Sequence, residues 1–228
     1  MSDPRTLTHA EAKRFYDHLG AKQDSQSFYE KAALERLLGH AELEHATHVL
    51  ELGCGTGKLA VALLAERLPA SARYLGLDLS STMAELARRR TAPFGERAKI
   101  VQVDGRLPLP VDTGSVDRFI ATYVFDLLAE DEINAMLAEA HRVLAPGGLL
   151  CLAGLTPGES GLGRVVSTTW TALHRLSPML VGGCRPLTVG STLSAKEWAV
   201  ELRTPVRAFG ITSEVLVARS KRAAPPPP

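Results

Sequence analysis

Five short apolar runs recur along this sequence, at His48–Leu52, Tyr74–Leu77, Lys99–Val103, Arg118–Thr122 and Leu149–Ala153, with segments of helical spacing between them. Strands apolar on successive positions are buried on both faces, so this alternation predicts a largely parallel sheet with helices on either side. The clearest helical repeat is Ile133, Met136, Leu137, Ala140, Val143 and Leu144, whose i, i+3, i+4 spacing forms one apolar stripe. It stops at Ala145–Pro146–Gly147–Gly148, where proline breaks the hydrogen-bond ladder and glycine takes a left-handed turn. The later chain changes character. From Leu155 to Leu202 glycine, serine, threonine and proline are mixed with one predicted helix around Arg164–Leu176. Strands are predicted at Pro205–Phe209 and Glu214–Ala218, and their short link makes them an antiparallel hairpin. We therefore expect one α/β domain over residues 1–222, in which 155–202 is an insertion, and a disordered Pro-rich tail at 223–228.

The formal net charge of +1 provides no global basic excess for nucleic acid or anionic lipid. The opening residues MSDPRTLTHAEAKRF lack the apolar core of a signal peptide, and no run approaches the ~20 apolar residues of a membrane span. Cys54, Cys151 and Cys184 are too scattered for a disulfide framework or a CxxC metal site. The expectation is a cytoplasmic protein with free thiols, no metal and no stable membrane insertion.

The first run leads into three glycines at alternate positions, in VLELGCGTGKLA (Val49–Ala60). Strand, glycine turn and helix together make a nucleotide-binding device, because backbone amides can approach the ligand closely. A phosphate-cradling loop needs GxxxxGK[ST], and here Leu59 follows Lys58. A dinucleotide site prefers GxGxxG, and Lys58 stands at its last small position. Asp78 ends the second run and suits ribose hydroxyls in a dinucleotide or an S-adenosylmethionine site alike. Glu51 separates the two readings. An acid just before the turn repels a pyrophosphate and favours a ligand with a positive amino group and sulfonium.

Four motifs in order, VLELGCGTG (Val49–Gly57), GLDLS (Gly76–Ser80) with Met83, VDGRLPLP (Val103–Pro110) and RVLAPGGLL (Arg142–Leu150), make the chain resemble the class I S-adenosylmethionine-dependent methyltransferases from about Phe15 to Arg219. The resemblance implies a Rossmann-like, doubly wound sheet of seven strands, mostly parallel with the last antiparallel. It implies that Glu51, Gly53, Gly55 and Gly57 line the methionine end and that Asp78 takes the ribose hydroxyls. By the same resemblance Leu79 and Met83 flank the adenine, Asp104 and the Gly105 amide meet its edge, and Thr122 and Tyr123 border the sulfonium. Taken on its own residues, VDG also reads as a turn, and Met83 also reads as core.

Methyl transfer from a sulfonium is an in-line displacement from an activated donor, so alignment can supply much of the rate. A Pro-Pro-aromatic motif after the fourth strand, a Pro-Cys nucleophile and an acidic metal set are all absent; only Asp126 follows that strand. The expected acceptor is a small, fairly apolar molecule: a quinone, a polyketide or other secondary metabolite, or a lipid head group. A non-catalytic S-adenosylmethionine-binding partner protein is the alternative. The segment RFYDHLG…SFYEKAALERLL within residues 1–45 resembles the helical lid of quinone- and lipid-type members, with Tyr16 and Tyr29 as lid aromatics. Trp170, His174 and Met179, with Cys184 and Arg185 close by, suggest an apolar acceptor pocket under the insertion. Tyr16 and His174 are the catalytic candidates, His174 as a base for a hydroxyl, although a lone helical histidine is more often structural.

Overall fold

The computed structural model describes residues 6–26, 29–159 and 161–223. Seven strands, β1 (His48–Leu52), β2 (Arg73–Asp78), β3 (Ala98–Gln102), β4 (Val116–Thr122), β5 (Leu144–Leu155), β6 (Trp198–Ala208) and β7 (Ile211–Ser220), form one sheet in the order β3-β2-β1-β4-β5-β7-β6. The first five are parallel, and β7 runs antiparallel between β5 and β6. The order reverses at β1, whose neighbours are β2 and β4. At such a switch point the two crossovers leave to opposite faces and open a crevice beyond the strand ends.

Alternation along the strands divides the core. Val49, Tyr74, Ile120, Cys151 and Val217 pack on one face with α2 (Glu30–Leu38), α3 (Lys58–Ala62) and α4 (Ser81–Thr91). Leu50, Leu77, Phe119, Leu150 and Leu216 pack on the other with α5 (Glu130–Val143). The central strands are apolar at consecutive positions because both faces are covered. Helix α5 ends at Val143, just before Pro146, with Gly147 at φ 75°.

Two expectations shift. The last hairpin turns on Phe209 and Gly210, both at positive φ, so β7 begins at Ile211. Its partner β6 begins at Trp198, seven residues before the expected Pro205, and takes up the end of the expected 155–202 insertion. As an edge strand with one open face, β6 alternates apolar residues with Glu201, Arg203 and Arg207, so it carries no continuous apolar run. Pro205 is tolerated because an edge strand leaves one row of amides unpaired. The insertion contributes α6 (Gly161–Leu176) and two short 3-10 turns. Most of the expected tail, residues 224–228, lies outside the described residues, as do Ser27 and Phe28 of the expected lid segment.

The N-terminal part folds as α1 (His9–Leu19), a 3-10 segment over Gly20–Gln26, and α2. Thr8 and Glu11 form a capping box at the start of α1. Asp17 fastens this helix to the body. Its carboxylate accepts from Ser80 Oγ at 2.6 Å and from the Thr82 amide at 3.1 Å, at the N-terminus of α4. A second clamp follows, in which Asp24 accepts from Thr56 Oγ1 and from Arg90, both at 2.7 Å.

Gly57 closes the turn after β1 at φ 78°, and a Cβ there would lie 2.8 Å from the Ala87 Cα of α4. Gly57→Ala combines left-handed strain with a backbone clash, so it should lower stability by about 2–4 kcal/mol in urea unfolding.

Candidate functional site

A cavity of about 940 Å³ opens beyond the C-terminal ends of β1, β2 and β4. Its floor is the glycine turn and the residues after β2. Gly53 and Cys54 donate their amides to the Leu77 carbonyl at 2.7 and 3.1 Å, which ties the turn to β2. Gly55, at φ 53°, has no atom within 4 Å of where a Cβ would stand, so the backbone faces the cavity bare. Asp78 lies across these two turns. One carboxylate oxygen accepts from the Gly55 amide and the other from the Ser80 amide, both at 2.8 Å.

Glu51, on the cavity wall, is 2 % exposed, and the Tyr74 hydroxyl donates to its carboxylate. Burial pushes its carboxyl up to about 7, against the downward pull of the Tyr74 hydrogen bond. Burial likewise raises Asp78 to about 6 although the Ser80 and Gly55 amides oppose it. Among the described residues no cation pairs with either of these two buried acids, so this end of the cavity suits positive charge. Leu79, Met83, Gly105, Thr122 and Tyr123 also line it.

The other end is aromatic. Tyr16 donates its hydroxyl to the Gly182 carbonyl at 3.3 Å and so joins α1 to the insertion. Tyr29 meets Tyr123 edge to face, with ring centroids 5.7 Å apart. Tyr123 sits just past β4 at φ 56°, an uncommon conformation for a bulky residue, and its hydroxyl is 2.9 Å from Ser213 Oγ. Trp170, Met179 and Cys184 complete this wall. Burial raises the Tyr16, Tyr29 and Tyr123 phenols well above their ordinary range, so all three stay protonated near neutrality.

Three of the expected site residues lie elsewhere. Gly57 packs under α4 instead of lining the cavity. Asp104 is exposed, accepts from the Arg106 amide at 3.0 Å and pairs with that side chain, so VDG forms a side-chain-capped turn and only Gly105 reaches the cavity. His174 is 2 % exposed, and among the described residues its Nε2 has no hydrogen-bond partner. It faces the interior behind the insertion, where desolvation lowers its pKa, and it lines no part of the cavity. Tyr16, the other catalytic candidate and a lid aromatic, lines the cavity with its phenol protonated. Arg185 stands behind the wall and binds the Leu128 carbonyl at 2.6 Å, while Asp126 accepts from the Leu155 amide at 2.8 Å; together they pin the insertion to the end of β4.

Sequence reasoning missed Glu30. It lines the cavity among the tyrosines, and burial raises its carboxyl to about 7 against the Tyr29 hydrogen bond and Lys58. As the first residue of a surface-patterned helix, Glu30 carries no sequence signal. Thr56, read only as part of the glycine motif, is the anchor for Asp24.

Residues 49–148 match the family model described as a methyltransferase domain. Residues 49–148 therefore carry a methyltransferase domain. A demethylmenaquinone methyltransferase of Thermus thermophilus is 34% identical over 134 residues, which are 59% of this chain and 58% of that protein. A malonyl-[acyl-carrier protein] O-methyltransferase of Marinomonas sp. is 35% identical over 165 residues, 71% of this chain and 56% of that one. The chain thus spans just over half the length of these curated relatives. The methyltransferase fold extends further: a geranyl diphosphate methyltransferase solved with GPP and sinefungin superposes with TM-score 0.68 at 14% identity, over 94% of this chain and 99% of that one. The cyclase SpnF superposes with TM-score 0.72 at 16% identity, over 96% and 99% of the two chains.

The desolvated acids set a pH dependence. Glu51, Asp78, Glu30 and Asp126 have folded pKa values of about 6–7, above their ordinary values near 4. Between those limits the folded state binds more protons than the unfolded one, so stability falls as pH rises. The unliganded protein should melt roughly 3–8 °C lower at pH 7.5 than at pH 5.5. Glu51→Gln should flatten part of that slope when melting is followed by calorimetry across the range.

Proposed function

We propose that the chain transfers the methyl group of S-adenosylmethionine to a small, fairly apolar acceptor. One observation carries this reading. A single cavity has two buried carboxylates and a bare glycine turn at one end, and an aromatic, insertion-covered wall at the other. The first end fits the cofactor: Glu51 faces its positive amino-acid end, the Gly53–Gly55 backbone lies along it, and Asp78 retains acceptor lone pairs for ribose hydroxyls. When bound, the cofactor supplies an activated methyl on a sulfonium.

The chain's own residues do the rest. Leu79 and Met83 offer apolar surface for a base. Tyr16 and Tyr29 close the cavity from the lid side and exclude water, which strengthens alignment and electrostatics within it. Tyr123, held in its strained conformation by Ser213, presents its ring at the end of β4. For a hydroxyl acceptor, Glu30 is the cavity carboxylate positioned among these rings, and its pKa of about 7 suits it to take the proton. The apolar insertion wall supports a quinone, polyketide or lipid-like acceptor, in keeping with the name of the demethylmenaquinone methyltransferase relative. The alternative, a cofactor-binding protein without catalysis, is disfavoured because such a protein would leave the space under the insertion filled, whereas the cavity reaches Trp170, Met179 and Cys184.

Calorimetry with S-adenosylmethionine should give a micromolar-range dissociation constant that Asp78→Ala abolishes and that Glu51→Gln weakens about 10–100-fold. Absence of binding to the intact protein would sink the proposal. Incubation with labelled cofactor and hydroxylated apolar acceptors should then show transfer. Glu30→Gln should lower kcat about 10²–10⁴-fold and remove its pH dependence near 7, with cofactor affinity unchanged.

A further inference from the structure

Helix α6 has two different apolar faces. Val166, Trp170 and His174 turn toward the body, with Gly163 pressed against the loop at Gly158. Leu162, Val165, Leu173 and Leu176, spaced i, i+3, i+11 and i+14, fall on a second stripe that points outward. Leu162 is 69% exposed and Leu176 is 79% exposed. The stripe runs on into Met179 and Leu180, which are exposed on one side and line the cavity on the other. At its opposite end lies the Phe209–Gly210 turn, where a Cβ on Gly210 would touch Val166 and Leu162. The outer apolar surface is therefore continuous with the wall of the acceptor cavity.

Charge identifies what covers it. Along α6 the charged side chains are Arg164 and Arg175, with no aspartate or glutamate from residue 161 to residue 176; Arg185 is buried behind the wall and adds no charge to this face, and the exposed Glu159 lies before the helix. Arg164 and Arg175 are exposed near the two ends of α6 and, eleven residues apart, fall on the same side of it, beside the apolar stripe. A helix with an outward apolar stripe, a basic flank and no acid suits the plane of an anionic bilayer, with leucines among the acyl chains and arginines at the phosphates. With 16 residues, two of them arginine, α6 does not span a bilayer, and no helix among the described residues is long and apolar enough to do so.

We propose that the outer face of α6, with Met179 and Leu180, seats the protein on an anionic membrane surface, so that an apolar acceptor passes from the lipid into the cavity beneath Trp170. This deepens the functional reading above and rests on it for the acceptor, while the docking itself is measured without cofactor.

The test is co-sedimentation of the full chain with vesicles of phosphatidylcholine alone or with about one third phosphatidylglycerol, alongside Leu176→Asp, Val165→Asp and the pair. Binding should appear with the anionic vesicles, weaken as salt rises, and fall about ten-fold or more in the paired variant. Melting temperature and S-adenosylmethionine affinity should not change, since both side chains point outward. Absence of binding to anionic vesicles, or equal binding of wild type and paired variant, overturns the proposal. So does a wild-type dimer that Leu176→Asp dissociates and that ignores vesicles, which would make the face a contact between copies. Cofactor binding without vesicle binding defeats only this inference; vesicle binding without cofactor binding defeats only the functional one.

Discussion

The carboxylate of Asp78 holds the site together. One oxygen takes the Gly55 amide and the other the Ser80 amide, so a single side chain joins the turn after β1 to the turn after β2. Ser80 passes the connection on. Its hydroxyl caps α4 by accepting from the Met83 amide at 3.1 Å and donates to Asp17 of α1. A line of hydrogen bonds therefore runs from the glycine turn to the lid helix, and the Thr56–Asp24–Arg90 clamp repeats the connection one turn later. The cavity roof and floor are thus set relative to each other by charge-assisted bonds, which are short and directional.

Burying these acids costs stability, and the site is arranged to make use of that cost. Glu51 and Asp78 are driven up by desolvation with only neutral donors to hold them. Asp17 and Asp24 are also desolvated, yet hydrogen bonds from Lys13 and Ser80, and from Arg90 and Thr56, bring them below the usual carboxylate range. The pinning acids are already paired, while the acids facing the cavity are not. A cationic ligand end would supply the missing charge at Glu51 and ribose hydroxyls would supply further donors at Asp78, and that contrast separates a latch from a binding group.

Much of the fold was legible because buried parallel strands are written as uninterrupted apolar runs, and β1 through β4 were found at or near their observed positions, while β5 begins at Leu144, five residues before the expected Leu149 and at a residue expected in the helix. β6 was read short because only one of its faces is covered. The glycine motif was legible for its shape and not for its division of labour. Gly55 leaves the backbone open to the cavity, whereas Gly57 makes room for α4, and the two are indistinguishable as letters in GxGxG. Asp104 and His174 misled for a related reason: a chemically capable side chain reveals nothing about the direction in which its element turns it. Glu30 lay hidden because a glutamate at the start of an amphipathic helix looks like any surface residue until the fold half-buries it against the cavity.

Local chemistry settled the alternation of strand and helix, the backbone turn for a ligand and the acid before it, since periodicity, φ preference and charge are properties of neighbouring residues. Only the tertiary structure decided which polar groups share the cavity, because Glu30, Tyr123, Cys184 and Trp170 meet there from four separate parts of the chain. It also decided that the stripe of α6 looks outward while His174 looks in. Both belong to one helix of mixed apolar and polar composition, and packing against the hairpin turn determines which side is buried.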